Sequence, residues 1–519
     1  MRNHLTHFVA GTLCLLTLTA CSAQSGGDME GANTATGAGA PAESYAPDFN
    51  PDFNTEEYSA ITENDYRAVA NAPLSTFSAD VDTASYSNIR RMLLEGQAVP
   101  ADAVRLEEMI NYFRYEYPEP QPGEPFSVTT ELAGCPWNPD SKLLLIGLQA
   151  QKLDADALPP SNLVFLIDVS GSMEAADKLP LVRQAFGLLC DVLGPDDTVS
   201  IVTYAGSDSV VLNGTPGSES AAIREAIESL DAGGATAGAQ GIETAYRIAE
   251  ENFIEGGNNR IVLATDGDLN VGVTSEGELK RLVEEKRESG IFLSVLGFGS
   301  GNIKDNKMEA LADNGNGNYA YIDSIIEARR VLVEEMGGTL FTVAKDVKIQ
   351  VEFNPAAVKG YRLIGYENRL LNPEDFADDA KDAGELGSGH RVTALYELVP
   401  VDSPMEIPQA DLKYQQTAPA GGAEEWLTVS LRYKEPDGDQ SREITVPVRG
   451  EQMADTPSDN FRLAACVAQF GMLLRQSPYR GSASYDGIIN TLSQLPGVQS
   501  DPYQDELLSL VKRASRLYQ

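Results

Sequence analysis

Between residues 161 and 342, short apolar runs alternate with stretches whose apolar positions recur every three or four residues. The runs at 163–169, 198–204, 209–212, 261–265, 291–297 and 318–322 predict strands, and 178–193, 219–231, 238–254, 276–289, 305–313 and 324–337 predict helices. Ile242, Ala245, Tyr246, Ala249 and Phe253 form one stripe at the 3.6-residue period of a helix laid on a sheet. Alternation of this kind predicts an α/β fold with a doubly wound, mostly parallel sheet. After Thr342 the period falls to two, and residues 346–353, 361–366, 391–398, 426–434 and 442–448 predict antiparallel strands, with a Pro436-Asp-Gly438 turn before the last. Residues 126–132 and 142–149 also read as strands. We therefore expect a β-sandwich-like region into which the α/β domain is inserted, with beads on a string as the alternative. Helices are predicted at 83–95, under an acidic cap, and at 103–113, and a helical carboxy-terminal module at 458–476 and 501–517. Asp501, Pro502, Lys512 and Arg513 sit where cap, first turn and last turn favour them.

Chemistry gathers where the apolar run Leu163-Val-Phe-Leu-Ile167 gives way to Asp168-Val-Ser170-Gly-Ser172-Met. If the chain stays extended, residues at i, i+2 and i+4 point one way, aiming a carboxylate and two hydroxyls together. Hard oxygens of this kind suit Mg²⁺. Gly233-Gly-Ala-Thr236 offers a hydroxyl before a helix, and Asp266-Gly-Asp268 is an acidic turn at the end of another apolar run. In an open parallel sheet such loops meet outside the carboxyl ends of the strands. Taken singly, each segment is better explained as a turn or a helix cap. Asp177 and Asp268 are expected to be solvated.

Taken in order, Asp168, Ser170, Ser172, Thr236 and Asp266 resemble the metal-ion-dependent adhesion site of von Willebrand factor type A domains. The resemblance implies ligation by the serines and, in some states, the threonine, with the aspartates acting largely through water. It implies Mg²⁺, with Mn²⁺ or Ca²⁺ as alternatives, and a protein partner whose Glu or Asp completes the shell. On this reading two carboxylates balance the ion, so the loaded site is neutral with an exposed Lewis-acidic face.

The amino terminus carries Arg2 and a thirteen-residue apolar run, 8–20, too short to span a bilayer and suited to a signal peptide. Leu18-Thr-Ala20-Cys21 resembles the lipobox of bacterial lipoproteins, which implies acylation of Cys21 and a membrane anchor. Ser22, where Asp often marks inner-membrane retention in Gram-negative families, points to the outer membrane of the cell envelope. The organisation expected is signal peptide 1–20, lipidated tether 21–58 and amino-terminal flanking module 59–160. Type A domain 161–342, antiparallel β region 343–450 and helical module 451–519 follow. The Gly-, Ala- and Ser-rich tether cannot bury a core and reaches about 30–35 Å. The flanks resemble the modules that accompany type A domains in bacterial lipoproteins.

Other classes fit less well. A formal charge of −38 over 519 residues argues against nucleic acid, whose phosphates need clustered Lys and Arg. Of three histidines, His4 and His7 fall in the signal, leaving His390, read as a surface residue, for any triad or zinc site. Gly297-Phe-Gly299-Ser-Gly301 is followed by Asn302, which breaks a dinucleotide signature. Asp80-Val-Asp82-Thr83 resembles a phosphatase nucleophile motif, but 74–79 is short and polar, so the acids are read as caps. Cys190 and Cys466 fall in apolar helices as buried thiols, and a Cys135–Cys466 disulfide stays open. The expectation is a non-enzymatic, envelope-facing binding or scaffolding protein. The alternatives are a structural factor whose metal only stabilises the fold, and a metal-dependent hydrolase.

Overall fold

The computed structural model describes residues 55–80, 82–154, 158–233, 238–267, 276–335, 341–381, 383–410, 422–436 and 438–518. The signal, Cys21, nearly all of the tether, Thr236 and Asp268 lie outside the described residues. Among the described residues no helix is long and apolar enough to cross a membrane.

The central sheet runs Tyr319–Ile322, Ile291–Phe298, Asn258–Thr265, Ser161–Asp168, Thr198–Tyr204, Asp208–Pro216. Every pairing is parallel except the last. Ser161–Asp168 and Asn258–Thr265 are buried along their whole length, which is why each contains a continuous apolar run, at 163–167 and 261–264. Alternate residues feed opposite layers. Leu163, Phe165 and Ile167 meet the helix Leu179–Leu189, with Phe186 stacked on Phe165 at 4.4 Å, while Val164 and Leu166 meet Gly238–Glu251. Each such apolar side chain contributes roughly 1.5–3 kcal/mol.

Two antiparallel sheets face each other beside this domain. One is ordered Arg67–Ala68, Val358–Ile364, Arg391–Pro400, Lys142–Ala150, Phe126–Gly134. The other is Leu370–Leu371, Leu74–Ser78, Thr342–Phe353, Glu425–Lys434, Ser441–Arg449, with Gly384–Gly387 also on Thr342–Phe353. Each draws strands from both sides of the central domain, so the α/β unit is an insertion in a sandwich, as the two-residue periodicity implied. Phe353 stacks on Tyr361 at 4.0 Å and meets Tyr396 edge-on at 5.5 Å across the core. Asp459–Arg475, Tyr485–Leu492, Gly497–Ser500 and Pro502–Leu517 share a separate core with Ala84–Glu95 and Leu106–Asn111. Ser458 and Asp501 cap their helices by accepting the Phe461 and Tyr503 N–H groups.

Three expectations fail here. The segment read as short and polar is the strand Leu74–Ser78, whose backbone is paired on both sides, so its Ser and Thr are buried without penalty to the ladder. Asp82 does not cap the next helix. It accepts the Tyr319 N–H at 2.8 Å and pairs with Arg369 at 3.1 Å. His390 is partly buried, and burial lowers its imidazole to about 4. Cys135, Cys190 and Cys466 are buried and free, and burial pushes Cys135 and Cys466 up to about 12.

Ion pairs join the parts. Arg90 on Ala84–Glu95 reaches Asp323 (2.7 Å) and Glu327 (2.7 Å) of the central domain and Glu506 (3.0 Å) of the last helix. Arg330 also grips Glu327, at 2.6 Å. Nearby, among the described residues, Asp80, Asp82, Glu108, Asp305, Glu309 and Asp313 are gathered around two cations, Arg105 and Arg369. Burial, with too few cations to offset it, lifts Glu108 from 4.5 to about 7 and raises Asp82, Glu309 and Asp313; burial likewise lifts Glu107, which faces Glu367 and Arg475 instead, to about 7. A carboxyl whose folded pKa exceeds its unfolded one binds extra protons in the native state. Its stabilisation is complete below 4.5 and lost as pH rises through about 7. The urea midpoint should therefore be higher at about pH 5.5 than at about pH 8; the reverse order would mean that Arg105, Arg369 and Arg475 fully offset these acids.

Candidate metal centre

Asp168 ends its strand fully buried. The chain stays extended through Ser170 and turns only from Gly171. The Val169 N–H reaches the Tyr204 carbonyl at 3.0 Å, the Ser170 N–H donates to Asp168 Oδ1 at 2.8 Å, and Gly171–Glu174 forms a 3₁₀ turn. This corrects the extended reading beyond Ser170. The hydroxyls meet because the turn folds Ser172 back, with Ser170 Oγ and Ser172 Oγ 3.0 Å apart. Ser170 is buried and Ser172 exposed, so the pair opens to solvent on one side.

The adjacent strand Asn258–Thr265 delivers the second acid. Thr265 Oγ1 lies 3.4 Å from Asp168 Oδ2 and accepts the Gly267 N–H at 3.2 Å. Between them Asp266 is 1% exposed. Gly267 has φ +94°, and a Cβ there would lie 2.7 Å from the Lys304 backbone nitrogen, so this position requires glycine. The loop that leads to Thr236 is tied in by the Gly233 N–H, which donates to the Val169 carbonyl at 2.7 Å. Asp168, Ser170, Ser172 and Asp266 are thus brought together at the carboxyl ends of the strands. Burial pushes the Asp168 carboxyl up to about 6; hydrogen bonds from Ser170 oppose this, and the charge of Asp266 adds to it.

Sequence reasoning missed one member. Lys178 Nζ donates to Asp266 Oδ2 at 2.8 Å, with the two side chains 8% and 1% exposed. Lys178 lies six positions past Ser172, next to Asp177, and nothing in its neighbours distinguishes it from a solvated lysine. Asp177 is not simply solvated either: it is partly buried and accepts from Ser300 Oγ at 3.2 Å. The donor set is all oxygen, two carboxylates and two hydroxyls, which fits a hard divalent cation such as Mg²⁺.

The von Willebrand factor type A domain family matches residues 162–333, and a von Willebrand factor family matches 52–145. The family described as uncharacterized protein YfbK, C-terminal, matches 338–517. The chain is 42% identical over 471 residues to uncharacterized protein YfbK of Escherichia coli, covering 89% of this chain and 81% of that one. It belongs to the YfbK family. Outside that family it is similar to human inter-alpha-trypsin inhibitor heavy chain H3, 28% identical over 195 residues, which are 35% of this chain and 22% of that protein. Among solved structures it resembles a von Willebrand factor type A protein from Catenulispora acidiphila, with a TM-score of 0.42 at 15% identity, covering 75% of this chain and 89% of that one.

A second acidic group lies elsewhere in this YfbK-family chain: Asp82, Glu108 and Glu309 approach one another closely and are buried. Their oxygens are already engaged, those of Asp82 by Arg369 and the Tyr319 N–H, those of Glu108 by Arg105 and the Ser85 N–H, and Glu309 Oε1 by Asn368. This is the junction described above, not a second open centre. His390 lines a cavity with Arg260 and Asn318, at the amino ends of the central strands and so at the opposite edge from Asp168.

Proposed function

We propose that the protein binds Mg²⁺ through Ser170, Ser172 and Thr236, with Asp168 and Asp266 acting largely through water, and presents the ion to an acidic residue of a protein partner. The observation that carries this reading is the hydroxyl pair over a buried carboxylate, with Ser172 open to solvent. When bound, the ion supplies a Lewis-acidic position for an incoming carboxylate oxygen. The chain's own residues hold the acids and exclude water from their inner side. The only histidine of the described residues sits at the far end of the strands, so no Ser–His pair forms at the centre. This favours binding over catalysis.

The lipobox-like Cys21 and the tether support an anchored position in the bacterial envelope, on the outer membrane, from which the partner is captured. The test is capture of envelope proteins by the immobilised whole chain, in Mg²⁺ and in chelator, alongside direct titration with Mn²⁺. The expected result is Mn²⁺ binding by wild type and not by Asp168→Ala, with capture that needs the ion. Mn²⁺ binding with capture indifferent to chelator and to Asp168→Ala would make the ion purely structural, and turnover lost on chelation would indicate a hydrolase.

A further inference from the structure

We propose that the Lys178 ammonium is a fixed third charge of the metal centre: it weakens the hold on the cation and leaves the loaded centre net positive toward an acidic partner group. The proposal rests on the metal reading above and adds to it. Two carboxylates alone would just neutralise a divalent ion. With the ammonium 2.8 Å from Asp266 Oδ2, the three side chains carry one net negative charge, and the loaded centre carries one net positive charge.

Position makes this charge count. The Lys178 and Asp266 side chains are 8% and 1% exposed, so solvent and salt screen them little. Nor is the lysine free to swing away. Its stem runs against Gly299, where even a Cβ would collide with the Lys178 methylenes, and Gly299 holds φ +76°. The Gly299 carbonyl is in turn held by the Tyr321 hydroxyl at 2.7 Å. Lys178 also closes the motif turn, its N–H donating to the Ala175 carbonyl at 3.0 Å. An ammonium built in this way acts on whatever cation the hydroxyls and carboxylates take up. A partner carboxylate then meets a centre with a residual positive charge, where a neutral one would rely on the ion's open face alone.

The experiment compares the whole wild-type chain with Lys178→Met, which keeps the length of the stem, and with Lys178→Gln, a second neutral variant. Folding of each is checked first by circular dichroism. Mn²⁺ alone is titrated by calorimetry; acetate is then added to the Mn²⁺-loaded protein and its binding followed by water proton relaxation. Both neutral variants should bind Mn²⁺ about tenfold or more tightly than wild type, and acetate several-fold more weakly. Unchanged or weaker Mn²⁺ binding in a folded neutral variant overturns the proposal while Asp168→Ala still abolishes binding. If Asp168→Ala binds Mn²⁺ as wild type does, the metal reading itself fails and takes this one with it.

Discussion

Asp266→Ala should cost the folded protein about 3–5 kcal/mol, whereas Asp168→Ala, at the same centre, should cost about 1 kcal/mol. The difference lies in what each carboxylate leaves behind. Removing Asp266 strands the Lys178 ammonium in a buried site without its carboxylate, and an uncompensated buried charge is among the most costly defects a protein can carry. Among the described residues Asp168 has no ion-pair partner. Burial already pushes its carboxyl up to about 6, so its removal forfeits hydrogen bonds, from Ser170, the Thr265 hydroxyl and the Tyr204 hydroxyl, and strands no buried charge. Urea denaturation without divalent ions measures both. Adding Lys178→Met to Asp266→Ala should recover much of the loss; equal costs for the two single variants would mean that the lysine finds another partner.

Arg90→Ala is expected to be comparably damaging, by about 3–5 kcal/mol, and to loosen the central domain from its helical flank. The guanidinium is shared among Asp323, Glu327, Glu506 and the Tyr112 hydroxyl, with Arg90 itself 2% exposed. Glu327 keeps Arg330, which together with Arg90 holds its carboxyl down at about 2 against the effect of burial. Asp323 has no such reserve, for burial already raises it and Arg90 is the chief group opposing that. Urea denaturation should show the loss. Limited proteolysis should release a fragment ending near Asp323 from the variant and not from wild type; intact resistance would show that apolar packing alone holds the joint.

Much of the fold was legible because its signals are periodic. The fully buried strands announce themselves as apolar runs, and the two-residue alternation after Thr342 identified strands that pair with those before the insertion, such as Lys142–Ala150 with Arg391–Pro400. Leu74–Ser78 was missed because hydroxyl side chains satisfy a ladder as well as apolar ones, and its burial comes from distant partners. Asp82 was misread because a cap is a local explanation, while its acceptors are spent on Tyr319 and Arg369. At the centre the order Asp168, Ser170, Ser172, Asp266 was readable, but the 3₁₀ turn that joins the two serines was not, since strand alternation gives the same direction by another route. Lys178 could not be found at all. An ion pair between loops that sequence keeps far apart has no period.

The inserted arrangement has a consequence for how the chain reaches its native state. Leu145 must wait for Leu395, and Ile349 must find Phe77, so neither face of the sandwich can close until the whole central domain has been made. Contacts of such separation carry a large loop-closure cost and form late. The insertion, whose parallel strands pair among themselves, can assemble first and draw the ends of its host together. A polypeptide halted before residue 391 would present Lys142–Ala150 with one edge bare, an invitation to sticking between chains.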